Sequence, residues 1–279
     1  MTIYLLLASI GVFAFWVYYK LALKYNTHFD AIRVYFIMAL LICLLLPLVD
    51  EIEIENTTSQ SFVQLEKEES IDLLILNQVT ELKREMTVIT GHKKESIQWI
   101  HFIYVCGCAF FFVRMLHSLF AIFRIKTSSE RISQNGIQIY FNDNIRQPFS
   151  LFKSIYLPKI WKGSVPTEVI YHERVHIDQW HFIDLLLAEL LTIVVWFNPF
   201  AYLIKKDLRA NLEFLADEAV INKGCDVGHY QSLLLSVATN SELQVPLKLY
   251  FNVPLKNRIT MMAKKKTNSI SKMTLLGIL

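Results

Sequence analysis

Three long apolar stretches limit what this chain can fold into. They cover residues 2–23, 32–49 and 98–122. Each is close to the roughly 20 residues that a helix needs to cross the hydrocarbon core of a bilayer. The first stretch has neither a preceding basic segment nor a small-residue cleavage site, so it is predicted to be a retained helix and not a signal peptide. Since 53% of the 279 residues are hydrophobic and 19% are charged, we expect a mainly α membrane protein.

The charges between these stretches predict an orientation in the membrane. Basic residues flank the short first loop and follow the third stretch; they are Lys20, Lys24, Arg33, Arg124, Lys126 and Arg131. By the positive-inside rule these segments face the cytoplasm, and the N-terminus lies outside. We expect residues 1–50 to form two transmembrane helices joined by a short cytoplasmic loop, and 51–97 to form an extracytoplasmic loop. Residues 98–123 are expected to be a third transmembrane helix. A cytoplasmic, membrane-associated domain should follow in 124–265, and the start of a fourth transmembrane helix in 266–279.

Composition excludes some classes of function. The net charge of +3 is small and dispersed, so direct binding of nucleic acid is not expected. The four cysteines lack the paired spacing of a structural zinc site, and packing is their expected role. The segment 51–97 contains amphipathic fragments that suit a helix on the membrane or a small packed unit, but a solvated connector is the expected structure.

Residues 171–176, with the sequence YHERVH, contain a metal-binding pattern. His172 and His176 are four residues apart, so on a helix both rings lie on one face and within reach of one ion. In this pattern Glu173 is not a ligand but a general base that takes a proton from the attacking water. Ser164 and Pro166 mark the start of the helix that carries the motif.

A catalytic zinc site requires a third protein ligand, and Glu213 in NLEFLAD is the candidate. Asp217 lies four residues further on the same helix face, where it would accept a proton from a ring nitrogen of a ligand histidine. The apolar run 182–197 would separate Glu213 from the histidines if it crossed the membrane completely. A helix of about 16 residues reaches about 24 Å, and a return of about 14 residues covers about 21 Å. A break at Asn198 and Pro199 therefore predicts a helical hairpin.

Residues 132–160 alternate apolar and polar side chains, with turn signals at NG and ND. This pattern predicts short strands. A strand edge can hold an extended peptide by main-chain hydrogen bonds, so this sheet is expected to support substrate binding. The predicted fold is a mainly α membrane protein with three to four transmembrane helices and a cytoplasmic zincin-like α+β metallopeptidase domain.

The stretch from YHERVH to LEFLADEAVI, together with IYLLLASI and LKNRITMM, resembles the membrane metallopeptidases related to bacterial β-lactam sensor and antirepressor proteins, especially the Bacteroidota version. The similarity covers nearly the whole chain. It implies a zinc peptidase of the bacterial inner membrane that is activated by an outer sensor and cuts a cytoplasmic target to change transcription. By position, it implies that His172, His176 and Glu213 are the metal ligands, Glu173 the catalytic glutamate and Asp217 the acid behind a ligand.

The resemblance leaves two other functions open. One is a non-catalytic receptor or scaffold with a structural zinc, and the other is a membrane protein quality-control protease, because the ExxxD arrangement is similar in such enzymes. The sensor proteins carry a penicillin-binding domain after the fourth span and this sequence ends before one, so β-lactam sensing is not expected. The expected partners are a protein substrate such as a transcriptional repressor, the lipid bilayer, and a second copy of the chain in a homodimer. Four histidines without an i+4 partner are expected to be ordinary packed or exposed residues; they are His101, His117, His181 and His229.

Overall fold

A computed structural model describes residues 2–61, 73–134, 136–239, 255–264 and 266–267, with the backbone alone for residues 2, 46–98 and 239. Most of these residues are helical. The long N-terminal helices are α1 (Thr2–Tyr18, continued by a π-helical turn at Tyr19–Leu23), α2 (Phe29–Ser61) and α3 (Leu73–Thr127). The strands are β1 (Glu130–Gln134), β2 (Ile137–Asn142), β3 (Phe149–Leu151) and β4 (Ser154–Pro158), followed by a 3₁₀ turn at Lys159–Trp161. The remaining helices are α4 (Thr167–Asp178), α5 (His181–Val194), α6 (Pro199–Asn222), α7 (Val227–Thr239) and α8 (Leu255–Met262).

Two of the described helical segments, Ile3–Leu23 and Trp99–Thr127, are long and apolar enough to cross a membrane. Only 6% of the best window in Trp99–Thr127 is buried inside the protein. Its apolar side chains therefore face outward, unlike those of a core helix in a soluble protein. These segments correspond to the first and third predicted spans. The second, 32–49, lies within α2 and its crossing of the membrane stays a prediction, while 268–279 of the fourth lie outside the described residues.

The segment 51–97, expected to be a solvated connector, is helical at both ends. Helix α2 continues to Ser61 and α3 begins at Leu73, residues 62–72 lie outside the described residues, and the solvation of the segment stays a prediction. Its acidic and polar residues end the hydrophobic pattern, but many of them, such as Glu, Gln and Lys, are good helix formers. Loss of hydropathy marks the end of an apolar run and not the end of a helix.

The main hydrophobic core joins the N-terminal helices to the later ones. Buried side chains of α1, α2, α5 and α6 form one cluster, which includes Val12, Phe36, Leu191 and Leu208. Helix α3 approaches the turn after α5 at Gly107, where an added Cβ would clash with the Trp196 ring. The region after α3 is therefore packed onto the N-terminal helices.

The four strands form one sheet in the order β1, β2, β4, β3. Strands β2 and β4 pair in parallel, and the two outer pairs are antiparallel. Ile139 and Leu157 on one face pack with Val169 of α4, while Tyr140 and Tyr156 on the other face pack near the end of α3. The strands predicted in 132–160 are confirmed, and β3 is left at the sheet edge beside α4.

Two turns fold α4, α5 and α6 back on one another. Helix α4 ends at Asp178, and α5 begins after Trp180, which has a left-handed backbone with φ of 57°. Helix α5 ends at Val194, and the Asn198 side chain caps α6 by accepting a hydrogen bond from the Phe200 backbone N–H, with a proline at the first helical position. The predicted break after 182–197 is thus confirmed, and α6 returns toward α4.

Candidate metal centre

Helices α4 and α6 bring the predicted metal-binding side chains together. His172 and His176 lie one turn apart on α4, and their Nε2 atoms are 3.3 Å apart. Glu213 of α6 places Oε2 3.3 Å from His172 Nε2 and Oε1 3.7 Å from His176 Nε2. Glu213 is 41 positions from His172 and 37 from His176 in sequence. It reaches them because the α5–α6 hairpin returns the chain to α4.

These distances fit a tetrahedral metal site. Two ligand atoms about 2.05 Å from one zinc ion, at a tetrahedral angle, would be about 3.3 Å apart. The three donor atoms lie within 4.8 Å of one another. The separation between the two histidine Nε2 atoms and that between His172 Nε2 and Glu213 Oε2 are both 3.3 Å, as expected for such a site. Two imidazoles and one carboxylate are also a donor set that zinc accepts. The residues present thus fit the ion.

Glu173 lies beside this cluster and is buried, with 7% of its surface exposed. Burial raises the pKa of its carboxyl above the ordinary value, although the neighbouring His172 and a hydrogen bond with Ser150 oppose the rise. A carboxylate whose pKa moves toward neutrality is a stronger base than an exposed one. Ser150 belongs to β3, so the sheet edge lies beside Glu173.

The outer side of His172 contacts a charged network. Its Nδ1 is 2.9 Å from the Tyr230 hydroxyl and 3.3 Å from Asp217 Oδ1. Tyr230 donates to the same Asp217 oxygen at 2.9 Å. Arg258 binds both Asp217 oxygens, with Nε 2.8 Å from Oδ2, and its Nη1 lies 3.1 Å from Glu213 Oε2. Asp217 therefore lies in contact with the His172 ring, and Tyr230 and Arg258 both bind its carboxylate.

This network shifts the pKa values of its members. Burial opposes protonation of His172, but its hydrogen bonds with Asp217 and Glu213 outweigh burial and raise its pKa to about 9. Burial would raise the pKa of the Glu213 and Asp217 carboxyls, but the positive charge of Arg258 outweighs burial and lowers both. Both carboxylates thus remain ionised at neutral pH.

His176 has a different environment. Its Nδ1 is 2.7 Å from His181 Nδ1, and the other ring nitrogen of His181 is 2.9 Å from the Gln179 side-chain oxygen. Burial lowers the pKa of His176 to about 4. Burial also lowers the pKa of His181, with further contributions from His176 and Arg33. Both rings are therefore neutral at pH 7.

Three residues of this centre were not predicted. Arg258 lies in the stretch LKNRITMM, which contributed to the family resemblance without a role for this residue; its side chain is 14% exposed and paired with two carboxylates. Tyr230 is fully buried, and no motif marks it. His181 is packed, as expected, but against His176.

The cluster lines a cavity of about 1360 Å³. Edge-strand residues Ser150 and Leu151 line one side, and Met115 and Leu119 of α3 line another. Glu173, His172, His176 and Glu213 all border the same space. An extended peptide lying along β3 would thus pass beside the cluster and next to Glu173.

One family model matches this chain, over residues 3–262, and it is described as BlaR1 peptidase M56. The match runs from α1 through α8 and includes the sheet, the three donor residues and Arg258. No curated protein matches the chain. The family match agrees with the resemblance found in the sequence, apart from the Bacteroidota version, which stays a prediction.

Proposed function

Because the chain belongs to the BlaR1 peptidase M56 family, a family of membrane-associated metallopeptidases, we propose that it is an integral membrane zinc endopeptidase. Its substrate is a cytoplasmic or membrane-proximal protein. The main support for the proposal is that donor atoms of His172, His176 and Glu213 lie together beside the buried Glu173. Two of their separations are 3.3 Å, the distance between two ligands of a tetrahedral zinc ion. Three protein donors bordering a cavity are typical of a catalytic zinc site, whereas a structural site is closed by four.

The proposed roles follow from position. The two imidazoles and the Glu213 carboxylate hold the ion. A bound zinc would supply a Lewis acid and lower the pKa of a water molecule to about 7. Glu173 takes a proton from the attacking water and returns it to the leaving amine, and its burial supports this exchange. Asp217 orients the His172 ring through a direct contact and through Tyr230.

Strand β3 is the proposed docking edge for the substrate. Within the described part of the chain it is the terminal strand of the sheet order, and Ser150 and Leu151 line the cavity, so it is placed where an extended peptide could be added as a further strand. Substrate main chain bound there would run next to Glu173, which Ser150 contacts. The positive-inside rule supports a bacterial inner-membrane protein with the N-terminus outside and the site in the cytoplasm.

The regulatory role is antirepressor-like, with a transcriptional repressor as the class of substrate. A scaffold with structural zinc would share the three donors but would not need Glu173. A quality-control protease would keep the chemistry and cleave many proteins. The scaffold differs from the proposed enzyme in not requiring the Glu173 carboxylate. The quality-control protease differs in the number of proteins that it cleaves, and so in the number of new N-termini in the cell.

The test compares Glu173→Gln with the wild type in cells, and N-terminal peptides are quantified by mass spectrometry. Glu168→Gln is the matched control, because Glu168 lies on the same helix away from the donor atoms. We expect Glu173→Gln to retain zinc and to lose one or a few new N-termini that the wild type and the control produce. Equal cleavage by wild type and Glu173→Gln would refute the assigned base. Loss of many unrelated N-termini would identify a quality-control protease.

A further inference from the structure

A chain of hydrogen bonds begins at His176 and leads away from the donor cluster. His176 Nδ1 lies 2.7 Å from His181 Nδ1, and His181 Nε2 lies 2.9 Å from Gln179 Oε1. The same Gln179 oxygen is 3.5 Å from Nη1 of Arg33, on α2. A residue of the N-terminal helices is thereby connected to a proposed metal ligand more than 140 positions away.

The donors and acceptors of this chain can be assigned from its Arg33 end. A guanidinium has donors only, so Gln179 presents its oxygen to Arg33 and not its NH₂ group. His181 Nε2 must then carry a hydrogen to donate to that oxygen. In a neutral imidazole the other nitrogen is an acceptor, so His181 Nδ1 accepts from His176 Nδ1–H. This leaves a lone pair on His176 Nε2, which faces the cluster.

We propose that Arg33, Gln179 and His181 are positioning residues that hold His176 in the tautomer protonated at Nδ1, with Nε2 available to the metal. The proposal rests on the metal-binding function proposed above and adds residues that the donor set itself does not require. The neighbouring ligand His172 is oriented by a carboxylate, whereas His176 is oriented by a neutral ring.

Two further observations show that the hydrogen-bonded residues from Arg33 to His176 are held in position. Arg33 is anchored by Asp184, with Nε 2.7 Å from Oδ2, and by the Gln179 backbone oxygen, 2.7 Å from Nη2. The turn between α4 and α5 places Trp180 in a left-handed conformation, which is sterically unfavourable for a bulky residue. This turn brings His181 back onto His176, although the two are five positions apart and not on one face of a continuous helix. His181 itself is 1% exposed.

The first test measures zinc affinity of the full-length, detergent-solubilised protein by competition with a chelator. In His181→Asn the amide oxygen takes the place of Nδ1 as acceptor, whereas His181→Leu has a similar size and no acceptor. We expect His181→Leu to bind zinc 10–100-fold more weakly, the usual effect of losing an outer partner of a ligand. His181→Asn should stay within a few-fold of the wild type. Equal affinity in both variants would overturn the proposal.

The second test reads the tautomer directly, by ¹⁵N NMR of histidines in the chelated protein, with His176→Asn to assign the signal. The wild type should show His176 protonated at Nδ1, and His181→Leu should show a mixture. If His181→Leu does not fold, Gln179→Leu against Gln179→Glu replaces it, because Glu keeps an acceptor for His181. A wild type that binds no zinc refutes the proposed function, whereas an unchanged tautomer in a zinc-binding wild type and its variants refutes the positioning role alone.

Discussion

The two imidazoles of the HERVH motif lie one helical turn apart but in contrasting halves of the centre. The half around His172 consists of Asp217, Tyr230 and Arg258, and it is charged and supplied by α6, α7 and α8. The half around His176 consists of neutral His181 and Gln179, with the Arg33–Asp184 ion pair at its far end. Identical residue types in one motif thus have opposite electrostatic surroundings.

The difference gives the two rings different protonation states in the metal-free protein at neutral pH. The charged half raises the pKa of His172 to about 9 and burial lowers that of His176 to about 4. His172 is therefore oriented by a strong charge-assisted contact, and this contact also favours a second ring proton that competes with a metal ion. His176 carries no second proton at neutral pH. Its orientation depends on which atoms donate and which accept in the hydrogen bonds that lead to Arg33.

Removal of the central carboxylate should break the charged half. Asp217→Asn leaves the buried Arg258 without its bidentate partner, and losing one member of a buried ion pair costs about 3–5 kcal/mol. We expect a loss of that size in the free energy of unfolding and 10–100-fold weaker zinc binding. Thermal unfolding in detergent and chelator competition would measure both. Asp178→Asn on α4 is the control, since Asp178 is exposed; an Asp217→Asn protein as stable as this control would contradict the contrast.

The pH dependence of stability should separate the halves in the metal-free protein. The folded pKa of His172 lies above the usual 6.5, so its contribution is fully present below pH 6.5 and is lost as pH rises through about 9. This loss amounts to about 3 kcal/mol at most. The folded pKa of His176 lies below 6.5, so stability falls as pH drops from 6.5 through about 4. His172→Asn should flatten the alkaline limb and His176→Asn the acidic limb of unfolding curves between pH 4 and 9; an alkaline limb that persists in His172→Asn would contradict the assignment.

Tyr230→Phe should weaken the charged half without breaking it. The change removes the hydroxyl between His172 and Asp217 but keeps the ring, and His172 retains its direct 3.3 Å contact with Asp217. We expect a loss of about 0.5–1.5 kcal/mol in unfolding free energy, as for one hydrogen bond. Zinc affinity should fall less than in Asp217→Asn. A larger fall in the Phe variant would mean that Tyr230, and not the carboxylate, determines the orientation of His172.

Trp180→Gly should have the smallest effect, in the neutral half. Glycine adopts a left-handed backbone without the steric cost that a side chain bears, but it also adds freedom to the unfolded chain. The expected change in unfolding free energy is therefore within about 1 kcal/mol of zero, with zinc affinity unchanged because His181 keeps its position. Weaker zinc binding would show that the exposed indole contributes to that position.

The parts of the site encoded by local spacing were predictable from sequence. His172 and His176 share a helix face, as do Glu213 and Asp217, and Asn198 with Pro199 determines where α5 and α6 separate. Tyr230 and Arg258 were not predictable, because α7 and α8 reach the site through tertiary packing that no spacing encodes. His181 requires a left-handed turn at a tryptophan, which sequence gives no reason to expect. The helices beyond the apolar part of α2 and before that of α3 were missed because hydropathy reports burial or lipid contact and not helix formation.

Zinc-edge X-ray absorption of the purified full-length protein would show whether His172, His176 and Glu213 bind one ion. We expect one zinc per chain, with two imidazole nitrogens at about 2.0–2.1 Å and carboxylate oxygen at about 2.0–2.2 Å. Glu213→Ala should lose the carboxylate oxygen and most of the metal. A wild-type spectrum without two imidazoles, or a Glu213→Ala protein with full zinc content and an unchanged spectrum, would refute this metal site.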